Sequence, residues 1–398
     1  MRSANLGLLQ GVDSSGASEV RQLSTTLLTL LAGVAIAATA GGPARSSETD
    51  PWADLEHEIL ARGLDPGLVV IPGRLTDEIR QWIHTVVSPA DSQDAALRQL
   101  LAALIDPKGL ELVYDPSFTG TAQEIWESRR ANCLGFTHLF VGLSRELGIS
   151  TYYVSWSTVE RFRREGDLVL VSGHVSAGWG TAHDSQVLEF GAVDGFEAKA
   201  ARRISDLNAT ARHYSNRSAE RLQAGENHLA IAEAELATQL DPGLADAWVN
   251  LGVSRRRSGD LEGAERAYRR ATLADPDHVP AYQNLSVLMQ LQGAQSTAQE
   301  IMALLDRRDN RNPFTYLSLG DHSLDAGREV EADRFYRRAS KLGPKLAETR
   351  AARGIWALEI GDREKASKWL RRAQAIDPEE SRTRRLAQKL SRSDDSSE

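Results

Sequence analysis

From Pro51 onward, apolar residues recur at helical spacing. Trp52, Leu55, Ile59 and Leu60 fall on one face, then Leu75, Ile79, Trp82, Ile83 and Val86, then Leu97, Leu100, Leu101 and Leu104. Pro72-Gly73 and Ser88-Pro89 separate these runs, and Thr121 to Arg130 predicts a further short helix. The stretch SRRANCLGFTHLFVGLSRELGIS, residues 128–150, follows at once. It sets Phe136, Leu139, Phe140, Leu143 and Leu147 on one stripe of an amphipathic helix. Asn132 is a favoured N-cap type, which puts Cys133 at the first helical position, and Gly148 suits the stop. Beyond it the pattern turns to β-branched and aromatic residues at Thr151–Trp156, Leu168–Ser172 and Gln186–Phe190, predicting three short strands. Residues 51–205 therefore read as an α+β unit, helices first and an antiparallel sheet afterwards.

The second half has a different period. Gly225, Gly259, Gly293, Gly327 and Gly361 recur every 34 residues, as do Ala230, Ala264, Ala298, Ala332 and Ala366. Pro242, Pro276, Pro344 and Pro378 keep the interval, with Asn310 at the missing place. Trp248, Leu251 and Gly252 open one unit, and Tyr268, Ala271 and Pro276 close it. Small residues let a first helix approach a second, glycine makes the turn between them, and proline interrupts before the next unit. These positions resemble the tetratricopeptide repeat. Five repeats are expected over residues 211–380, an all-α solenoid, with a capping helix over 381–392 and a disordered tail over 393–398.

At the other end, LSTTLLTLLAGVAIAATA from Leu23 to Ala40 holds an apolar core, Leu27 to Ala38, that fits the h-region of a signal peptide. Ala38-Thr39-Ala40 matches a small-residue cleavage site, so residues 1–40 predict export to the periplasm. An uncleaved anchor, tethering the chain to the inner membrane through this segment, is the alternative. Residues 41–50, GGPARSSETD, read as a linker.

Charge narrows the function classes. A formal net charge of −8 over 398 residues argues against a general nucleic-acid binder. Arg255-Arg256-Arg257 lies in a helix of mixed charge and reads as a solvated face. A single cysteine forms no intrachain disulfide and leaves the redox compartment open. Without a second cysteine or a paired-histidine helix spacing, neither a metal centre nor a cofactor is expected.

A cysteine at a helix N-terminus is placed to be a thiolate, and a nucleophile then needs a base and a group to orient it. His174, in VSGHVSAGW, lies at the end of the second predicted strand, and Glu189, in QVLEFG, lies 15 residues later on the third. Neighbouring antiparallel strands would set them side by side. His183 beside Asp184 is a rival base in a turn-like stretch, Asp194 a rival carboxylate, and His138 falls on another side of the Cys133 helix.

The block RRANCLGFTHLFVGLSRELGI resembles the cysteine motif of bacterial transglutaminase-like proteins, R-x-G-N-C-x-x-x-T-x-L-x-x-x-L-R-x-x-G. Arg129 or Arg130, Asn132, Cys133, Thr137, Leu139, Arg145 and Gly148 fall on its places. The resemblance covers most of residues 110–200. It implies a transglutaminase-like domain in which Cys133 attacks an amide or peptide carbonyl, His174 serves as base and then acid, and Glu189 orients the imidazole. The third member is normally Asp, and the extra methylene of Glu189 displaces the carboxylate by about 1.5 Å. Hydrolysis is expected rather than crosslinking, because nothing marks a second, amine-donor site.

In the repeats, Asn216, Asn250 and Asn284 share one register place on the first helix of successive units. In the resembling family this place faces the concave groove and holds a peptide backbone, and an interhelical hydrogen bond is the alternative. The expectation is an exported thiol hydrolase or acyl transferase whose repeats dock a protein or peptide. The alternative is an inactive scaffold in which the groove carries the function.

Overall fold

The computed structural model describes residues 50–165, 168–181, 184–188, 190, 201–306 and 313–395. The expected leader, the expected linker up to Thr49, Glu189, His183 and Asp194 lie outside them. The chain divides into two compact units: the described residues up to Arg161 with Ser172–Ser254, and Phe162–Val171 with Arg255 onward.

The first unit opens with helices α1 (Ala53–Ala61), α2 (Asp77–Val86) and α3 (Gln93–Ile105). Each buries the stripe its spacing predicts, led by Leu55 and Ile59, Ile79 and Ile83, and Leu97, Leu100 and Leu104. Leu60 and Val86 depart from the expectation, Leu60 lying 60% exposed and Val86 36%. A two-residue parallel ladder joins β1 (Val113–Tyr114) to β2 (Arg130–Ala131) around α4 (Ala122–Ser128). A capping box starts α4: Glu124 N–H donates to Thr121 Oγ1, and the Glu124 carboxylate accepts from Thr121 N–H.

Helix α5 (Cys133–Glu146) runs through the middle, buried along all but its last two residues. Asn132 caps it, its side-chain oxygen accepting the Gly135 N–H at 2.9 Å. Small residues make this burial sterically feasible. A Cβ on Gly142 would lie 2.2 Å from the Gly73 carbonyl oxygen, so only glycine lets the neighbouring backbone approach.

The sheet runs β5–β4–β3–β6, with β3 (Thr151–Glu165), β4 (Leu168–Thr181), β5 (Asp184–Leu188) and β6 (Ala201–Ile204). β3 pairs antiparallel with β6 and β4 with β5. The strands outrun the apolar segments that announce them, because ladder hydrogen bonds need backbone and not apolar side chains. His174 accordingly sits inside β4 rather than at its end, and β6 adds a strand that its ARRI sequence does not announce.

Helices α6 (Asp206–Gln223) and α7 (Asn227–Leu240) belong to this same core. Leu207, Ala209, Ala211, Ala237 and Leu240 are buried in one cluster with Phe136, Leu139 and Phe140 of α5. The boundary near 205, drawn where strand pattern gives way to repeat pattern, is not the edge of the compact unit, which continues to Ser254. Helix α8 (Ala245–Arg257) closes this part of the chain.

The second unit holds α9 (Leu261–Ala274), α10 (Val279–Leu291), α11 (Gln295–Asp306), α12 (Pro313–Asp325), α13 (Glu329–Leu342), α14 (Ala347–Glu359), α15 (Arg363–Gln374) and α16 (Ser381–Asp395). α10 packs on α11, α12 on α13 and α14 on α15, with α16 against α14 and α15. The small residues of the 34-residue register explain the pairing: Ala264, Ala298, Ala332 and Ala366 are all 0% exposed. The recurring glycines all sit in the left-handed region, with φ from 71° at Gly327 to 85° at Gly259, a turn other residues enter with strain. Among the described residues no helix is long and apolar enough to cross a membrane.

Candidate functional site

Cys133 occupies the first turn of α5, 8% exposed, where helix N–H groups and dipole favour negative charge. One turn on, the Thr137 hydroxyl donates to the Cys133 carbonyl at 2.7 Å and lies 3.4 Å from the Val175 carbonyl of β4. The start of α5 is thereby tied to the strand segment that carries His174, which is 6% exposed.

The pleat of that segment has two faces. Val175 and Ala177 join the core around α5. Ser176 instead accepts the Trp156 indole N–H at 2.8 Å, and a Cβ on Gly178 would lie 2.4 Å from the Tyr152 ring. Tyr152, Val154 and Trp156 form a separate apolar cluster on that side. Thr137 thus ties the first turn of α5 to the backbone beside His174. Glu189 lies outside the described residues, so its relation to His174 is not part of this geometry.

The other motif positions have structural roles. Asn132 caps α5 and donates through Nδ2 to Thr119 Oγ1 at 2.6 Å. Arg129 ends α4 in the left-handed region, φ 59°, with its guanidinium over Trp126. Arg130 pairs with Asp115. Arg145 makes a two-point ion pair with Asp206, donates to the Thr151 carbonyl and stacks on Trp52.

His138 is fully buried, its Nδ1 sharing a hydrogen bond with the Tyr153 hydroxyl at 2.9 Å. Its ring meets that of His213 on α6 edge-on, with centroids 5.4 Å apart. Burial pushes His213 down to about 3, helped by Arg217 and opposed by Glu124. Burial, then the neighbouring His213, holds His138 well below the usual histidine range. Neither histidine is thus poised as a base near neutral pH. Among the described residues no cluster of three or more His, Cys, Asp or Glu could hold a metal.

The three asparagines differ in environment. Asn216 on α6 is exposed. Asn250 on α8 is half-buried and donates through Nδ2 to both the Ser215 carbonyl and the Ser215 Oγ, each at 3.0 Å. Asn284 on α10 is 6% exposed. The interhelical role is therefore what the structure shows at Asn250.

A tetratricopeptide-repeat family model matches residues 221–289. The heat-shock protein cognate co-chaperone sgt12 of Aspergillus fumigatus is 38% identical over 63 residues, 16% of this chain and 18% of that protein. The chain thus spans under a fifth of the length of that curated relative. Among solved structures, the tetratricopeptide-repeat protein TTC0263 of Thermus thermophilus is similar at 19% identity and a TM-score of 0.39, covering 45% of this chain and 98% of that one. YrrB, a repeat protein described as having an unusual peptide-binding site, is similar at 18% identity and a TM-score of 0.33, covering 45% and 92%. The C-terminal region is a helical array of tetratricopeptide repeats.

Proposed function

We propose that the protein is an interaction scaffold whose repeats dock a polypeptide partner on their first-helix face. The observation that carries this reading is the repeat array itself, with its family-model match across residues 221–289. The similar co-chaperone is in keeping with it. The α+β unit then anchors the first repeat, because α6 and α7 share its core. A photo-crosslinking residue at position 216 in the full chain tests it. The expected product is a polypeptide adduct that a soluble competitor peptide displaces; adducts equally frequent from position 270, an exposed place on the second helix of its repeat, would defeat the reading.

A second reading, a transglutaminase-like thiol enzyme, is favoured by Cys133 at the head of α5 beneath its Asn132 cap. It asks His174 to serve as base to the Cys133 thiol and Glu189 to orient its imidazole. Iodoacetamide labelling across pH separates the readings. An active site labels well below the pKa of about 8.5 of a free thiol, and His174→Ala abolishes that advantage. The scaffold shows neither. Export, or a tether through Leu27–Ala38, is tested by N-terminal sequencing after fractionation: a start at Gly41 supports cleavage, and intact Arg2 in the membrane fraction supports an anchor.

A further inference from the structure

The fifth repeat breaks the register where first helices pack. Counting by 34, the place held by Trp248, Tyr282 and Tyr316 passes to Arg350, and the place held by Leu251, Leu285 and Leu319 passes to Arg353. The first repeat also carries an arginine at the second of these places, Arg217, but it is neutralised within the chain. Its Nη1 lies 3.1 Å from Glu124, and its Nε 3.8 Å from Glu233. The fifth-repeat counterpart of Glu233 is Trp369, four intervals of 34 later. Where the first repeat gives its arginine a carboxylate, the fifth gives it an indole.

Two guanidiniums share that indole. Arg353 Cζ lies 4.0 Å and Arg372 Cζ 4.8 Å from the Trp369 ring centroid. Arg353 Nε is buried without a hydrogen-bond acceptor among the described residues. Arg350 donates to the backbone carbonyls of Pro344, at 3.0 Å, and Ser340, at 3.5 Å. Arg337 pairs with Asp333 at 2.5 Å. Burial presses the Arg353 guanidinium below its usual range, opposed by Asp333 and reinforced by the like charges of Arg337, Arg350 and Arg372. Arg350, Arg353 and Arg372 thus gather on these helices in a chain whose net charge is −8.

We propose that this face of α13, α14 and α15 binds an acidic polypeptide segment, with its carboxylates between Arg350, Arg353 and Arg372 around Trp369. A guanidinium stacked on an indole keeps its N–H edge free for bidentate contact with a carboxylate. Several charges set apart around one ring suit carboxylates spaced along a chain better than one compact phosphate. The site is separate from the asparagine face: the fifth-repeat counterpart of Asn284 is Ala352, about 100° around the helix from Arg353. It therefore stands whether or not the first-helix face docks a partner.

The test is calorimetric titration of the full chain with a synthetic peptide carrying Glu at every second position, acetylated and amidated so that no terminal carboxylate contributes. Binding that weakens as salt rises is expected. Arg372→Gln, at an exposed position, should weaken it roughly tenfold without moving the melting temperature, and Arg353→Gln with Arg372→Gln should abolish it. Arg372→Lys should retain part of the affinity, since it keeps charge without the planar fork. Asn216→Ala should leave this binding intact, which separates it from docking on the first-helix face. Wild-type protein that ignores the peptide, an Arg372→Gln variant that binds as tightly as wild type, or binding of inorganic phosphate in place of the peptide overturns the proposal.

Discussion

Arg145 on α5 and Asp206 on α6 form a two-point ion pair, Nη1 to Oδ2 at 2.7 Å and Nη2 to Oδ1 at 2.8 Å. The pair joins the central helix of the α+β core to the first helix of the repeats, with the Arg145 side chain 14% exposed and that of Asp206 26%. This is why the repeat pattern begins inside a core that started with Trp52. A motif position that suggests chemistry by its sequence context acts here as a structural tie.

Removing one partner leaves the other charge half-buried and unmatched. Asp206→Asn should cost about 3 kcal/mol in urea unfolding, and Arg145→Ala a similar amount with some loss of packing on Trp52. The double variant should cost clearly less than the sum of the two. Additive losses would show that the pair contributes no coupling.

The buried His138–His213 contact makes this unit acid-sensitive in a stated direction. With His213 held to about 3 when folded, the unfolded chain binds a proton near pH 6.5 that the folded chain refuses. The stabilising effect of neutral burial is full above pH 6.5 and is lost as pH falls from there toward 3, by about 1.4 kcal/mol per pH unit for each such histidine. His213→Phe should flatten the dependence of urea midpoint on pH between 6 and 4. An unchanged slope would place the acid sensitivity elsewhere.

Gly142→Ala puts a methyl group 2.2 Å from the Gly73 carbonyl oxygen, a backbone atom that cannot swing aside. A loss of 1–3 kcal/mol is expected, at about the upper end for overpacking a closed core. Gly148→Ala meets open space but keeps φ at +74°, so its cost should be limited to backbone strain of about 1 kcal/mol. Thermal melts of the two variants should rank in that order.

Much of the fold is legible because two periods leave plain marks. The alanines spaced 34 apart are all fully buried, and the glycines of the same register all take positive φ. The stripe on α5 and its Asn132 cap form as their spacing predicts. Two things are not legible. The change of pattern near 205 marks where strands stop, whereas the core extends on through Leu207 and Ala211, which look like ordinary repeat residues. The site depends on which face of β4 carries His174, and its sequence has no alternation that shows this: Val175, Ser176 and Ala177 are all buried, so both faces are covered. The arginines at Trp369 leave a readable signal, a break in register at Arg350 and Arg353, that becomes visible only when all five repeats are aligned against one another.

Asn216 and Asn250 share a register place and should separate in function. Asn250 joins α8 to α6 by donating to the backbone and the hydroxyl of Ser215, so Asn250→Ala strips both acceptors of a donor and should cost 1–2 kcal/mol, about that of a lost hydrogen-bonded group at a half-buried site. Asn216 is exposed, and Asn216→Ala should leave unfolding midpoints unchanged within about 0.5 kcal/mol. If the first-helix face docks a peptide, Asn216→Ala should weaken that binding while stability stays constant, and Asn250→Ala should reduce stability whether or not the peptide is bound. A stability loss at Asn216 matching that at Asn250 would make the whole asparagine row part of the helix packing, and docking would then have to rest on other side chains of that face.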